Sequence, residues 1–134
     1  RGVFALANIE MGEFVTEYRG ELISEKESLA RQRIYHDSLK TFLFDFKWHG
    51  KWWCIDAARD LSLGRLVNDD HKKSNCKMKN INVEGKPLLC LFALRNITCG
   101  EEITYNYGPV NWPWRIMVSM YIITFEIGIK KVSD

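Results

Sequence analysis

Short segments rich in hydrophobic and β-favouring residues, each bounded by turn-forming residues, follow one another along most of the chain. The segments TFLFDF and WWCIDA flank a turn at residues 48–51, and the segments KMKNINV and KPLLCLFAL flank a second turn at Glu84-Gly85. Each pair predicts a β-hairpin. The pattern as a whole is typical of a mainly β domain built from many short strands.

One segment, SEKESLARQRIYHDS, has the features of a helix instead. Ser24 followed three positions later by Glu27 forms a capping box, which marks a helix N-terminus. The spacing of the apolar residues then favours helical periodicity. Three residues mark a short apolar face: Leu29, Ala30 and Ile34. We expect one short helix at the surface of the domain.

The chain repeats itself once, because FALANIEMGE at residues 4–13 and FALRNITCGE at residues 92–101 share FAL, NI and GE at the same offsets. Two copies are too few for a solenoid, which needs at least about three. We interpret each copy as a strand that enters a tight turn at Gly12 or Gly100. A second strand would leave each turn, at residues 14–18 and 103–107, so that the fold uses one hairpin design twice.

A long polar connection, residues 59–75, separates the two predicted hairpins. Loops of this length are uncommon in compact domains unless they are functional or packed by their own side chains. Three apolar residues predict that this loop is buried: Leu63, Leu66 and Val67. Four residues are suited to bond the main chain of the loop itself: Asn68, Asp69, Asp70 and Asn75. The loop is therefore expected to offer ordered backbone groups to a ligand.

Composition places the 134-residue chain among ordinary globular domains, with 46% hydrophobic, 27% charged and 13% aromatic residues. The net charge of +2 does not indicate nucleic-acid binding, so we predict no nucleic-acid site. A basic partner would be met by local acidic patches. We expect a monomer, since one domain of this length folds alone.

The four cysteines form no CxxC pair and have no histidine at zinc-ligand spacing, which predicts reduced thiols of an intracellular protein and no metal site. Residues 116–129 are apolar, but this stretch is shorter than the ~20 residues of a membrane helix. Glu126 and Gly128 also interrupt it. It is interpreted as an edge strand or a poorly docked tail, and we predict no membrane partner.

The segment GEEITYNYG, residues 100–108, contains two candidate sites. Adjacent residues of a strand point to opposite faces, so Glu101 and Glu102 are interpreted as a solvated pair at a turn and not as a paired acid and base. Tyr105 and Tyr107, two positions apart, project from one face of the strand. From periodicity alone they are more simply explained as core aromatics. No glycine-rich phosphate loop occurs in a strand-to-helix context, which excludes kinase and dinucleotide-binding interpretations.

Taken together, these motifs resemble the SET domain of lysine methyltransferases. The resemblance covers residues 1 to about 108, with an incomplete N-terminal edge because the first glycine of the family's G-x-G is absent before Arg1. It is carried in order by RGVFA, GEFVTEYRGELI, WCIDA, RLVN followed by NC, and GEEITYNYG. Within the family, the spacing from EYRG to the closing YNYG most resembles that of the histone H4 lysine-20 monomethyltransferases.

This resemblance implies a mainly β fold of several small sheets with one short helix, in which the long loop passes beneath the C-terminal segment as a pseudoknot. It also implies roles for three tyrosines. Tyr107 would be catalytic, Tyr105 would set the number of methyl groups added, and Tyr18 would be a third wall of the lysine channel.

The resemblance further implies S-adenosylmethionine as the cofactor. Arg1 and Gly2 would bind its methionine end, Phe42 would form a wall, and Asn68 with Asp69 would contact the adenosine and amino-acid parts. The family usually has Asn-His where this chain has Asn68-Asp69. Within a short segment similar to a post-SET region, residues 109–115, Trp114 is the candidate cover for the adenine. Residues 116–134 would be an apolar tail of unknown role.

The implied function is monomethylation of a lysine in the basic tail of histone H4, bound as an added strand on the nucleosome, in the nucleus. Three acidic residues are expected at the rim of the peptide groove: Asp45, Asp69 and Asp70. The alternative is a SET-like module that binds peptides as a scaffold without catalysis. The altered Asn68-Asp69 pair and Phe42 favour that alternative, whereas retention of all three tyrosines favours the enzyme.

Overall fold

The computed structural model describes residues 2–70 and 72–106, together with the backbone of residues 129–132. These described residues form ten strands: β1 (Gly2–Ala5), β2 (Phe14–Glu17), β3 (Glu21–Ser24), β4 (Leu43–Trp48), β5 (Lys51–Asp56), β6 (Asn68–Asp69), β7 (Cys76–Val83), β8 (Lys86–Ala93), β9 (Glu102–Tyr105) and β10 (Ile129–Val132). Two helices, α1 (Glu25–Ile34) and α2 (Asp37–Lys40), follow β3, and a 3-10 turn spans Gly64–Leu66. The predicted mainly β fold is confirmed.

The strands form two sheets. In the larger sheet the order is β10-β1-β9-β7-β8-β2, and β6 also pairs with β9. The smaller sheet has the order β3-β5-β4. Both predicted hairpins are present, since β4 pairs antiparallel with β5 and β7 pairs antiparallel with β8. Strand β10 lies at the edge of the larger sheet, antiparallel to β1.

The main hydrophobic core lies between the two sheets. It combines residues of the larger sheet, such as Met78, Leu91 and Ile103, with Phe44 and Phe46 from the inner face of β4. Each of these side chains is at most 1% exposed. The alternation of buried and exposed residues along β4 therefore directs its aromatic side chains towards the larger sheet.

Helix α1 begins where the capping box predicted, because the Ser24 hydroxyl accepts a hydrogen bond from the Glu27 backbone N–H at 3.1 Å. The predicted apolar face is wrong. Leu29 and Ile34 are 53% and 80% exposed, and Ser28 is the only buried residue of the helix. The small side chain of Ser28 lets the helix lie close to the smaller sheet. Polar contacts then hold the helix in place.

An ionic cluster provides most of those polar contacts. The Arg31 guanidinium donates to the carboxylates of Glu21 on β3, Glu27 on α1 and Asp56 on β5, at 2.8–2.9 Å. The Tyr35 hydroxyl donates to Asp56 at 2.6 Å. Burial raises the pKa of the Asp56 carboxyl, but the hydrogen bonds from Tyr35, the Ala58 backbone N–H and Arg31 outweigh burial and hold that pKa below its ordinary value.

The repeated segments do not form two separate hairpins, so that interpretation is wrong. Strand β1 pairs with β9 and strand β2 pairs with β8, so the two copies pair with each other. Ile9 and Ile97, which occupy the same position in their copies, exchange backbone hydrogen bonds of 2.8 and 2.7 Å. Gly12 and Gly100 both have positive φ, as predicted, of 90° and 94°.

The same symmetry extends to side chains. The Asn96 amide oxygen accepts a hydrogen bond from the Met11 backbone N–H at 2.8 Å, and the Asn8 oxygen accepts one from the Cys99 N–H at 2.9 Å. Two copies of one local design thus form a pseudo-two-fold unit. Each copy supplies strand partners to the other, since β1 pairs with β9 and β2 pairs with β8.

The long loop is packed, as predicted, with Val67 buried and Leu63 and Leu66 half-buried against the main core. Asn75 is only 2% exposed, and the prediction that it bonds the main chain of its own loop is wrong. Its amide nitrogen donates to the Glu102 carbonyl at 2.8 Å and its amide oxygen accepts from the Thr104 N–H at 2.9 Å. The Asn75 side chain thereby ties the loop to β9. The segment after residue 106, which would complete the implied pseudoknot, lies outside the described residues.

We expect Asn75→Ala to lower the free energy of unfolding by about 2–4 kcal/mol, because two buried backbone groups of β9 lose their partners. Chemical denaturation monitored by tryptophan fluorescence measures the change. Asn82→Ala is the matched control, since Asn82 accepts one hydrogen bond, from Gly85, in an exposed turn. Equal losses in the two variants would contradict the tie between loop and strand.

The lowered pKa of Asp56 predicts a pH dependence. A carboxyl whose folded pKa lies below its unfolded value stabilises the fold above the unfolded pKa of about 3.9, and this stabilisation is lost as pH falls towards the folded pKa. We therefore expect the stability difference between wild type and Asp56→Asn to be largest near neutral pH and to shrink below pH of about 4. Urea unfolding at several pH values checks this, and a difference that grows on acidification would oppose it.

Candidate functional site

Strand β9 brings the predicted site residues together. It lies between β1, which runs antiparallel to it, and β6 and β7, which run parallel to it. Asn68 and Asp69 of β6 lie opposite Thr104 and Tyr105. The loop that carries the predicted cofactor residues therefore lies in register with the strand that carries a predicted tyrosine. These pairings use backbone groups of the loop, and the offer of backbone groups to a ligand stays a prediction.

Tyr18 and Tyr105 belong to one row of aromatic side chains. The Tyr18 ring centroid lies 5.5 Å from that of Phe44, and Phe44 lies 6.3 Å from Tyr105. Both tyrosines are nearly buried, at 3% and 5% exposure. The structure thus connects two of the three tyrosines that the sequence selected, through Phe44 on β4.

Backbone contacts fix Tyr18 within this row. Its hydroxyl donates to the Phe42 carbonyl at 2.8 Å, and its N–H donates to the Leu89 carbonyl at 2.7 Å. The 3-10 turn of the long loop lies directly against the backbone of Glu17 and Tyr18, and a side chain at Gly64 would collide with the Glu17 carbonyl. A glycine is required here because the loop and the strand are in close contact.

Phe42, the predicted cofactor wall, is held by Arg65. The Arg65 guanidinium carbon lies 4.5 Å from the centre of the Phe42 ring, a cation–π arrangement. Arg65 also donates to the carbonyls of Ala57 and Ala58, at 3.2 and 3.0 Å. The Ala57 N–H in turn donates to the Phe42 carbonyl, the same oxygen that accepts from the Tyr18 hydroxyl. One carbonyl thus connects the predicted cofactor wall with the predicted lysine channel.

Gly2, Asn68 and Glu102 meet on the other side of β9. The Asn68 amide nitrogen donates to a Glu102 carboxylate oxygen at 2.6 Å. A Cβ built on Gly2 would lie 2.5 Å from that oxygen and 3.0 Å from the amide nitrogen. The absence of a side chain at residue 2 therefore lets the Glu102 carboxylate and the Asn68 amide lie against the backbone of β1, and these acceptor and donor groups match the chemistry of the amino-acid end of the predicted cofactor.

The predicted acidic rim is distributed over two surfaces. Asp69 is exposed and follows Asn68 on β6, while Asp70 accepts hydrogen bonds from the Lys72 and Lys73 backbone N–H groups. Asp45 is exposed on β4, on the face opposite Phe44. The structure therefore places Asp69 and Asp70 beside the site and Asp45 on the other side of its strand.

Three predicted site residues lie outside the described residues: Tyr107, Arg1 and Trp114. Their assignments stay predictions. Among the described residues no group of three or more histidine, cysteine, aspartate or glutamate side chains is arranged to hold a metal ion. In the same part of the chain, no helix has the length and hydropathy needed to cross a bilayer.

Two residues of this site, Glu102 and Arg65, are not among the site residues that the sequence predicts. Glu102 was interpreted as part of a solvated pair, but it is half-buried and bonded to Asn68. Arg65 was not considered as a site residue. Strand alternation gives a signal for Glu102, since it lies one position out of phase with the buried Ile103. For Arg65 the only signal is its place beside Gly64 in a loop with buried apolar residues.

Comparison with known sequences gives a consistent result. Residues 1–108 match the family model described as the SET domain. N-lysine methyltransferase KMT5A of Xenopus tropicalis is 42% identical over 112 residues, which cover 81% of this chain and 33% of that protein. Histone-lysine N-methyltransferase set-1 of Caenorhabditis elegans is 36% identical over 111 residues, covering 81% of this chain and 46% of that protein.

Solved structures agree. CpSET8 from Cryptosporidium superposes with a TM-score of 0.69 at 33% identity, covering 78% of this chain and 50% of that chain. The complex ctPRC2, in an autoinhibited conformation bound to S-adenosylmethionine, gives a TM-score of 0.69 at 36% identity and covers 84% of this chain but 14% of that chain. The chain spans about a third of the length of the KMT5A relatives that it matches.

Proposed function

The chain belongs to the SET domain family, and from that premise we propose that it is a protein-lysine N-methyltransferase dependent on S-adenosylmethionine. We propose further that its substrate is a lysine of the histone H4 tail, lysine-20, and that one methyl group is added. The similarity to N-lysine methyltransferase KMT5A over 81% of the chain supports the reaction, and the similarity to histone-lysine N-methyltransferase set-1 supports a histone lysine as the substrate. The choice of lysine-20 rests on the spacing of the motifs.

The observation that carries the proposal is the connection between the two halves of the site. The Phe42 carbonyl accepts a hydrogen bond from the Tyr18 hydroxyl. The Phe42 ring, which stacks on Arg65, is the predicted cofactor wall. A methyltransferase needs its amine channel and its donor site to meet at a fixed distance. A scaffold that only binds peptides has no use for this connection.

The aromatic row explains how the lysine amine would lose its proton and become a nucleophile. A lysine amine has a reference pKa of about 10.4 and must lose its proton before its lone pair can attack carbon. On this proposal the lysine amine would enter beside the row of Tyr18, Phe44 and Tyr105, where a desolvated environment would favour the neutral amine and phenol oxygens could hold and aim it. The tyrosines would then bind and orient the nitrogen without a carboxylate base.

Residues around β9 would hold the cofactor. On the motif positions Gly2, Phe42, Asn68 and Asp69 would take this role, and Gly2 lies close to the side chains of Asn68 and Glu102. When bound, S-adenosylmethionine supplies an electrophilic methyl carbon whose sulfonium leaves as a neutral thioether. Alignment of nitrogen and carbon then contributes much of the rate, about 7–11 kcal/mol in well-oriented systems.

The same proposal predicts the binding partner and the cellular location of the protein. A basic histone tail would bind as an added strand, with Asp69 and Asp70 as rim contacts near the site. A nucleosomal substrate places the protein in the nucleus on chromatin, and we propose that it acts there as a monomer. Arg1, Trp114 and Tyr107 complete the proposed site by their positions in the motifs.

Titration calorimetry with S-adenosylmethionine, followed by methylation of nucleosomes and H4 tail peptides read by mass spectrometry, tests the function. We expect cofactor binding and a monomethyl mark on lysine-20. Cofactor binding without transfer to any histone would reject the substrate. No cofactor binding would favour the scaffold alternative, which the Asn68-Asp69 pair supports because a carboxylate replaces the family's usual histidine.

Tyr105→Phe should shift the product from monomethyl-lysine towards dimethyl-lysine. A second transfer needs room for the first methyl group and loss of water held by the phenol oxygen, and this variant removes that oxygen while keeping the ring beside Phe44. Mass spectrometry of the reacted H4 peptide measures the ratio. Tyr35→Phe is the matched control, because its hydroxyl bonds Asp56 outside the aromatic row. An active Tyr105→Phe enzyme that makes only the monomethyl product would refute this role.

A further inference from the structure

Asp56 ends strand β5, and its carboxylate has three hydrogen-bond donors although the side chain is only 4% exposed. One oxygen accepts from the Tyr35 hydroxyl at 2.6 Å and from the Arg31 guanidinium at 2.8 Å. The other oxygen accepts from the Ala58 backbone N–H at 2.9 Å. The carboxylate therefore connects helix α1 and its cap with the turn that follows β5.

The turn formed by Ala57 and Ala58 follows the last paired residue of β5. Two charged side chains hold it. The Asp56 carboxylate accepts a hydrogen bond from the Ala58 N–H, and the Arg65 guanidinium donates to both carbonyls of the turn, at 3.2 and 3.0 Å. Ala57 itself is fully buried. The orientation of its backbone N–H therefore depends on these two side chains.

The turn contacts the tyrosine row through one oxygen atom. The Ala57 N–H donates to the Phe42 carbonyl at 2.9 Å, and the Tyr18 hydroxyl donates to the same oxygen at 2.8 Å. A carbonyl oxygen has two lone pairs, so these two donors occupy both. The end of β5 is also packed against the chain just after Tyr18, because a Cβ at Gly20 would collide with the Asp56 carbonyl. A displacement of the turn would therefore displace the Tyr18 hydroxyl.

We propose that Asp56 is a positioning residue for the amine channel of the proposed methyltransferase. Its carboxylate fixes the turn, the turn fixes the Phe42 carbonyl, and that carbonyl fixes the Tyr18 hydroxyl. This inference rests on the proposed function. It gives a role in the reaction to a residue outside both the aromatic row and the predicted cofactor residues.

Asp56→Asn tests the carboxylate with little change in shape. An ionised carboxylate only accepts hydrogen bonds, whereas an amide has one accepting oxygen and a donating NH₂ group. Whichever way the amide turns, its NH₂ group faces a donor, either the Ala58 N–H or the Arg31 guanidinium. We expect kcat for methylation of the H4 peptide to fall by about tenfold or more, since a misplacement of about 1 Å can cost about a hundredfold. Binding of S-adenosylmethionine should change less, because the contact of Arg65 with the Phe42 ring is kept.

A double-mutant cycle with Tyr18→Phe, which removes the hydroxyl and keeps the ring, separates positioning from a structural effect. Because Asp56 acts through that hydroxyl, Asp56→Asn should change the single-turnover rate by about twofold or less in the Tyr18→Phe background. A purely structural role would lower the rate by the same factor in both backgrounds. Equal factors would overturn the inference.

A spectroscopic readout follows the Tyr18 hydroxyl without substrate or cofactor. In protein that carries carbon-13 at the tyrosine Cζ atoms, the Tyr18 resonance is assigned by its absence in Tyr18→Phe. It should move in Asp56→Asn, since the hydrogen bond of its hydroxyl changes. An unmoved resonance would contradict the proposed link between Asp56 and Tyr18.

Asp60→Asn is the matched control, an identical change in the next turn, where the Asp60 carboxylate accepts from the Ser62 N–H at 2.9 Å. It should keep the wild-type kcat and the wild-type Tyr18 resonance. Tyr35→Phe should also keep kcat, because Arg31 and the Ala58 N–H still bond the carboxylate. Thermal unfolding of each variant ensures that rates are compared on folded protein.

An ester in the backbone tests the same link if Asp56→Asn does not fold. Semisynthesis that replaces Ala57 by L-lactate removes the N–H that bonds the Phe42 carbonyl, and kcat should again fall by about tenfold. A wild-type kcat in the ester, or equal losses in Asp56→Asn and Asp60→Asn, would overturn the inference and leave the proposed function intact. A wild-type protein that transfers no methyl group would instead reject the proposed function.

Discussion

The pairing of β9 on both of its edges is the constraint on which the site depends. This strand of four residues has β1 along one edge and β6 with β7 along the other, and the Asn75 side chain binds two of its backbone groups where the loop would otherwise leave them unpaired. Buried backbone groups without partners are costly, so the long loop must follow β9 closely. The cofactor-side residues of the loop and the tyrosine of the strand are therefore placed by the same hydrogen bonds.

Strand periodicity then divides the two halves of the site. Ile103 and Tyr105 are buried with the core, whereas Glu102 and Thr104 are half-buried on the other face, with Asn68 and Asn75. One strand thus presents an aromatic surface on one face and a polar surface on the other, because successive side chains of a strand point to opposite faces. On the proposed function, the methyl acceptor and the donor approach this strand from its two faces.

Much of this architecture was predictable because local signals decide it. The hairpin turns at residues 49–50 and 84–85, the Ser24 cap and the packed loop all depend on residues close in sequence. The wrong predictions concern residues that contact each other but lie far apart in sequence. Each repeat alone satisfies the rules for a hairpin turn, which is why two hairpins are predicted. No local signal shows that the Ala5 N–H bonds the Glu101 carbonyl. Likewise Leu29 and Ile34 have helical spacing, but Ser28 and the Arg31 cluster decide which face packs. The polar partners of Glu102 and Arg65 are also distant in sequence, which is why the aromatic motif was found and its supports were not.

The cross-pairing of the two repeats also bears on how the protein is made. Met11 finds the side chain of Asn96, 85 positions further along, and β1 has no partner in the described chain nearer than β9. A ribosome adds about 5–20 residues each second, so the opening strand emerges several seconds before anything can cover it. Folding dominated by such distant contacts is slow, and an uncovered strand edge invites association. The nascent polypeptide therefore passes through a stage in which all three strands of the smaller sheet have been made while β1 still lacks β9, and this stage is when chaperones would be needed most.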